Sequence, residues 1–274
     1  MMGWFLLIVL LLLLWCLLLV CRRSWPRWDR LLPGRYAHRG YHDKPRVPEN
    51  SLAAFRRAVE WGYGAELDVH LMQDGGLAVI HDSSLQRTAG ADVRIEDLCR
   101  TDLARYPLEQ SNETIPLLED VLALFRDKAP LVIELKPERG NHKALSAAVA
   151  TVLDGYSGDY CIESFDPRVL YWFRKHRPQV CRGQLAYNFL ADRESELPWL
   201  LKLILTNLLT NFLTRPDFIA YQFSDRRVLS LRLCKRLWHP KIFYWTIASQ
   251  TDLDTAEGEQ AAGIFERFCP REDR

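Results

Sequence analysis

Short β-rich runs alternate with helical stretches along almost the whole chain after Pro33, and this alternation constrains the fold more than any other feature. The runs are Tyr36–His38, Ala65–His70, Leu131–Leu135, Tyr160–Ser164, Val180–Leu185, Phe218–Gln222, Ile242–Ile247 and Gly263–Phe268. Between them lie amphipathic stretches with apolar residues at helical spacing: Ser51–Trp61, Leu117–Arg126, Lys143–Leu153 and Asp166–His176. Asn50 is read as the N-cap of the first, and Asp166-Pro167 opens the last. Eight strands alternating with helices predict a parallel sheet closed as a (β/α)8 (TIM) barrel. An open doubly wound sheet would want a glycine-rich turn after its first strand, and there is none. The run Leu77–His81 follows Asp74-Gly75-Gly76, a hairpin signal that folds it back on the second strand. Segment 83–114 fits no βα unit and reads as an insertion after that strand.

Ahead of the barrel region, Met1–Cys21 carries no charged side chain and is dominated by Leu, Ile and Val. About 20 apolar residues suffice to cross a hydrocarbon core as a helix, so residues 1–21 are expected to be a transmembrane helix. A cleaved signal peptide would carry a basic n-region and small residues before the cut; here there is no Lys or Arg, and Leu18, Leu19, Val20 and Cys21 precede Arg22. Residues 22–34 form a basic juxtamembrane linker, and 35–274 the barrel domain. Arg22, Arg23, Arg27 and Arg30 follow the apolar block and nothing basic precedes it, which expects a single-pass protein with its domain in the cytoplasm. The seven cysteines are irregularly spaced without a CxxC pair, which argues for reduced thiols and against a disulfide framework. A net charge of +1 with mixed signs gives no nucleic-acid footprint.

Catalytic groups of such barrels sit at the C-terminal ends of strands. His38-Arg39 ends the first run. Glu66, Asp68 and His70 alternate along the second and share one face. His81-Asp82 ends the return strand, and Glu134 and Lys136 the next. Glu66, Asp68 and Glu134 offer hard oxygen ligands for one divalent cation, Mg²⁺ or Ca²⁺. His38 and His81 can exchange protons near neutral pH, and Arg39 and Lys136 can bind phosphate. These parts fit cleavage of a phosphodiester, and neither hydride nor acyl transfer.

The order of short blocks carries a specific resemblance. Ala37-His38-Arg39-Gly40, Pro48-Glu49-Asn50-Ser51, Glu66-Leu67-Asp68-Val69, Ile80-His81-Asp82, Glu134-Leu135-Lys136, Ser164-Phe165-Asp166 and Trp245-Thr246 together resemble the glycerophosphodiester phosphodiesterase family. The resemblance implies a barrel with an insertion after its second strand. It implies metal ligation by Glu66, Asp68 and Glu134, acid–base roles for His38 and His81, and substrate contacts from Arg39, Lys136, Glu49 and Trp245, the last as a wall on the glycerol side. The implied reaction is hydrolysis of a glycerophosphodiester to sn-glycerol 3-phosphate and an alcohol, in phospholipid and glycerol metabolism. Two departures stand out: Thr246-Ile247-Ala248 where an Asn usually follows Trp, and Glu266-Arg267-Phe268 where an acidic residue usually precedes Tyr-Pro.

Residues 198–213 are unusually apolar, with Lys202 the only charge. They are read either as the helix between the fifth and sixth strands or as an interfacial helix giving a second membrane contact. Two rival functions share the barrel: phospholipase D-like hydrolysis of lysophospholipids or sphingolipids, and non-catalytic phosphodiester binding at a membrane.

Overall fold

The computed structural model describes residues 2–22, 25–32, 34–44 and 46–271. Met1 and Arg23, which entered the reading of the apolar block and its flank, lie outside them. The elements run, in chain order, α1 (Met2–Leu18), β1 (Arg35–Ala37), α2 (Leu52–Glu60), β2 (Gly64–Leu71), β3 (Leu77–Val79), α3 (Gln86–Ala89), α4 (Leu118–Phe125), β4 (Leu131–Leu135), α5 (His142–Asp154), β5 (Tyr160–Ser164), α6 (Pro167–His176), β6 (Arg182–Ala186), α7 (Trp199–Thr206), α8 (Asn211–Thr214), β7 (Phe218–Gln222), α9 (Leu229–Trp238), β8 (Lys241–Ile247), α10 (Gln250–Gly258) and β9 (Ala262–Phe265).

All these strands except β3 form a closed parallel ring in the order β1-β9-β8-β7-β6-β5-β4-β2, with β2 pairing back to β1. This is the expected eight-stranded barrel. Strand β3 pairs antiparallel with the upper part of β2, with Val69 opposite Val79 and Leu71 opposite Leu77. The 83–114 region folds over it as α3 and short 3₁₀ turns around a small apolar core of Met72, Ile80, Leu85, Ile95 and Leu108.

Two apolar layers hold the fold. Outward strand residues such as Leu67, Ile133, Ile162 and Ile219 pack against Phe55, Phe125 and Phe173 of the surrounding helices, each such side chain contributing roughly 1.5–3 kcal/mol on burial. Inward residues Tyr36, Val132, Leu185, Phe218, Phe243 and Ile264 fill the lower interior. Gly183 on β6 is needed there, since a Cβ would lie 2.1 Å from the Phe218 ring.

The N-terminal block departs from expectation. Its helix covers 17 residues, Met2–Leu18, about 26 Å at 1.5 Å per residue, and no helix among the described residues is long and apolar enough to cross a membrane. Leu19, Val20 and Cys21 leave the helix and are buried against the barrel. There the Leu19 carbonyl accepts from Asn211 Nδ2 at 3.5 Å, and Trp238 Nε1 donates to the Cys16 carbonyl at 3.0 Å. The linker then crosses the N-terminal end of the ring. Arg22 pairs with Asp217 at the foot of β7, Trp25 donates to the Gln179 carbonyl, and Trp25, Trp28, Leu31 and Leu32 pack beneath Phe218.

The apolar stretch 198–213 is not one helix. Leu208 is fully buried with φ +55°, so the chain breaks between α7 and α8. A β-strand-like continuation into Phe268 is also not formed, because β9 ends at Phe265.

Candidate active site

The C-terminal ends of β1, β2, β4 and β9, together with the turn after β3, bring the polar groups together. Ring closure makes this possible, since β1 is the neighbour of both β2 and β9. Register places Asp68 opposite Glu134, and Glu134 opposite Glu163 on β5. Glu66, Asp68 and Glu134 are buried, and each brings an oxygen within 4.8 Å of the others. Asp68 Oδ1, 3.4 Å from Lys136 Nζ, takes no hydrogen bond among the described residues. Clustered buried hard oxygens, one of them unsatisfied, fit a Mg²⁺ or Ca²⁺ ion.

The electrostatics are divided. Burial pushes the Glu66 carboxyl well above the ordinary range, reinforced by Asp68 and Glu134. Glu134 is raised by burial, with Lys136 opposing. Burial acts upward on Asp68 too, but Lys136, His81 and Arg39 outweigh it and hold it well below its ordinary value. Asn50 adds a hydrogen bond from Nδ2 to Asp68 Oδ2 at 2.9 Å. It is free to do so because Ser51, not Asn50, caps α2 by accepting from the Ala54 N–H. The β1–α2 loop is tightly folded: Gly40 has φ +77°, and a Cβ there would approach Ala54 Cβ to 2.9 Å. That turn aims the Arg39 N–H at Glu66 Oε2, 3.0 Å away.

Each histidine is held from behind by a carboxylate. His38 Nδ1 donates to Glu266 Oε2 at 2.8 Å, leaving Nε2 facing Glu66 Oε2 at 3.9 Å. Burial lowers the His38 pKa, and Glu266 opposes that shift. His81 Nδ1 donates to Asp82 Oδ1 at 2.5 Å. Asp82 accepts from Arg87 Nε, and Arg87 in turn reaches Glu49 Oε1 at 2.6 Å. Arg39 also donates to Glu49 Oε1, at 3.0 Å, and Lys44 binds Glu49 Oε2. Glu49 therefore gathers three cations, and although burial acts upward, Arg87, Arg39 and Lys44 lower its pKa to about 2. A cleft of about 550 Å³ opens beside this network, lined by His38, Arg39, Lys44, Arg87 and Glu266.

Of the residues expected from sequence, His38, Arg39, Glu66, Asp68, His81, Glu134 and Lys136 converge here, and Glu49 joins as the organiser of Arg39. Trp245 stands on β8, three strands round the ring from β2. Its ring meets Phe165 edge-on at 5.6 Å and Tyr187 at 6.3 Å, so the far side of the mouth is aromatic. Four site residues escaped the sequence reading. Glu266 was legible only as a departure at the end of the last strand. Asp82 was seen as part of a block without a role. His70 was placed on the right face, yet its bonds to Glu96 (2.7 Å) and to the His81 carbonyl (3.1 Å) were not foreseen. Glu163 is a fourth buried carboxyl, its pKa raised by burial, with Oε2 unbonded among the described residues; its alternation with Phe165 was the available signal.

The profile of the Glycerophosphoryl diester phosphodiesterase family matches residues 38–221. A protein named glycerophosphodiester phosphodiesterase from Caldanaerobacter subterraneus subsp. tengcongensis is 44% identical over 173 residues, 60% of this chain and 68% of that one. The human protein named Lysophospholipase D GDPD1 is 30% identical over 145 residues, 48% of this chain and 44% of its own. A solved phosphodiesterase of Oleispira antarctica, in complex with the product sn-glycerol-3-phosphate, superposes with a TM-score of 0.70. It covers 86% of this chain and 93% of its own at 24% identity, which shows a common fold.

Proposed function

Because the chain belongs to the glycerophosphoryl diester phosphodiesterase family, we propose that it hydrolyses glycerophosphodiesters to sn-glycerol 3-phosphate and an alcohol. The observation that carries this reading is the pair of carboxylate-backed histidines beside the acidic triad. With Nδ1 donating to Glu266 in one and Asp82 in the other, each ring keeps Nε2 for proton exchange. One histidine takes a proton from the nucleophile, either water or the glycerol hydroxyl whose cyclic phosphate water then opens, and the other returns one to the departing alkoxide. Arg39 and Lys136 bind the phosphate oxygens, and Trp245 with Phe165 forms a wall for the glycerol side. Glu66, Asp68 and Glu134 would hold the divalent ion. Its charge offsets that on the phosphoryl group when bound.

The test is release of glycerol 3-phosphate from glycerophosphocholine and glycerophosphoglycerol by the full chain, with Mg²⁺, Ca²⁺ or chelator. Turnover that survives chelation refutes the metal assignment, and turnover in His38→Ala or Glu66→Gln refutes the site. A phospholipase D-like action on lysophospholipids is favoured by one feature, an exposed apolar flank described below, and lysophosphatidylcholine in the same assay separates the two.

We also propose that the protein is bound to a membrane through α1, whose apolar side chains from Met2 to Leu14 are almost all exposed. In water that surface would be a heavy liability. The arginines that follow α1 in the sequence support a barrel on the cytoplasmic side. Segment 198–213 supplies the second contact, with Trp199, Leu200, Leu201, Phe212 and Leu213 turned outward. Protease added outside sealed vesicles or spheroplasts should spare the barrel; its digestion would reverse the assigned side.

A further inference from the structure

On the barrel's outer flank, a cleft of about 310 Å³ lies between α5, α6 and α8, at the lower end of the size range of small-molecule sites. Its floor is apolar: Pro167, Tyr171, Trp172 and Leu213. Its rim carries Lys143 and Lys175, both exposed, and no carboxylate lines it. Arg168, also on the rim, is already held by Asp166 through both carboxylate oxygens. Lys143 and Lys175 have no carboxylate partner among the described residues; Lys175 Nζ lies 5.6 Å over the Tyr171 ring.

The surroundings identify what such a cleft would take. Arg174 donates to the carbonyls of Phe212 and Leu213, which fixes α8 beside α6 with both of those side chains exposed. The exposed residues Trp199, Leu200 and Leu201 of α7 continue the apolar surface. The end of α1 is seated on the same α8, through the Leu19 carbonyl and Asn211. Apolar area, aromatic rings and unpaired lysines on one flank are the composition of a surface that rests among lipid headgroups.

We propose that this cleft binds an anionic phospholipid of the membrane, its acyl chain along Tyr171, Trp172 and Leu213 and its phosphate between Lys143 and Lys175. The proposal extends the membrane reading of α1 and does not depend on the hydrolase reading. It has a geometric consequence. Helices α5 and α6 start just after β4 and β5, so Lys143 stands at the same end of the barrel as Glu134 and Lys136. Lys175, in the last turn of α6, and Leu213, just ahead of β7, stand towards the opposite end, so a lipid held there lays this flank, from mouth to foot, along the headgroup layer.

The full chain is mixed with vesicles of phosphatidylcholine alone or with about a third phosphatidylglycerol, and partitioning is measured by flotation. Because α1 binds both, the quantity read is the gain from the anionic lipid. Lys143→Glu/Lys175→Glu should reduce that gain by at least roughly 30-fold, from the per-lysine contribution near an anionic surface, while leaving binding to neutral vesicles in place. Brominated acyl chains on the phosphatidylglycerol should quench a component of tryptophan emission that is missing in Trp172→Phe and in Leu213→Glu. An undiminished gain in the double variant overturns the proposal, as does quenching that Trp172→Phe leaves unchanged. A concentration-dependent dimer in neutral detergent that Leu213→Glu abolishes would assign the face to a second copy instead. Turnover of soluble glycerophosphocholine, run in parallel on every variant, reports on the hydrolase reading separately.

Discussion

Replacing Glu266 by Gln should be among the most damaging isosteric changes outside the acidic triad. The carboxylate accepts the His38 Nδ1 proton at 2.8 Å, and His38 and His42 together hold its pKa far below the ordinary range. A hydrogen bond to a charged group is worth about 1.5–3 kcal/mol net, which corresponds to roughly 10- to 150-fold in rate. Gln has a second effect. Its amide can present N–H to Nδ1, which moves the ring proton to Nε2 and removes the free lone pair on the side facing the triad. A wrong tautomer behind a catalytic histidine has cost about 10⁴-fold in serine proteases. The expected loss in kcat/KM is therefore about 10²- to 10⁴-fold, largely in kcat. Glu266→Asp, one methylene shorter and still an acceptor, should recover part of it. The assay is enzymatic detection of glycerol 3-phosphate released from glycerophosphocholine, with far-UV circular dichroism to verify the fold. If the Gln variant keeps more than half the wild-type rate, or if Asp is as poor as Gln, the backing role of Glu266 is refuted.

Three other outcomes are expected. Mg²⁺ or Ca²⁺ at 100 times its Kd should stabilise the fold by about 2.7 kcal/mol, a rise of roughly 5–10 °C in Tm; Glu66→Gln or Glu134→Gln should abolish the rise in a thermal scan. Glu49, lowered from its ordinary 4.5 to about 2, contributes stability present above pH 4.5 and lost as pH falls towards 2, at most about 3 kcal/mol. The difference in urea stability between wild type and Glu49→Gln should accordingly shrink from pH 5 to pH 3, and a constant difference would contradict the cation network. Gly183→Ala, which forces a methyl against the buried Phe218 ring, should cost about 1–3 kcal/mol in urea unfolding, partly restored by adding Phe218→Leu.

Strands β4, β5 and β7 could be placed to the residue from sequence because they are buried on both faces and read as short, mainly apolar and β-prone runs. The metal-ligand candidates were legible for a related reason, being acids interrupting such runs at period two. What was hidden depends on contacts between distant parts of the chain. Glu266 looked remote from the triad, yet closure of the ring makes β9 the neighbour of β1 and brings it to His38 across 228 positions. Residues 198–213 read as one regular helix, but Leu208 turns inward to the core with φ +55° and breaks it. Composition alone made residues 1–21 one apolar block; Leu19–Cys21 are apolar because they are core. Helices α9 and α10 went unread; α10 has only Leu253 and Ala256 buried among polar residues and shows little apolar periodicity.

Residues 25–32 serve the barrel as its floor, and they are also the only covalent route from α1 to the ring. A pull on α1 would therefore load Trp238 against the Cys16 carbonyl and Asn211 against the Leu19 carbonyl first, then Arg22 against Asp217 and Trp28 against Phe218, before it reaches any strand. A version of the protein cut at residue 35 would not be a freed catalytic unit but a tube with its drain open, wetting Tyr36, Phe218 and Phe243 from below.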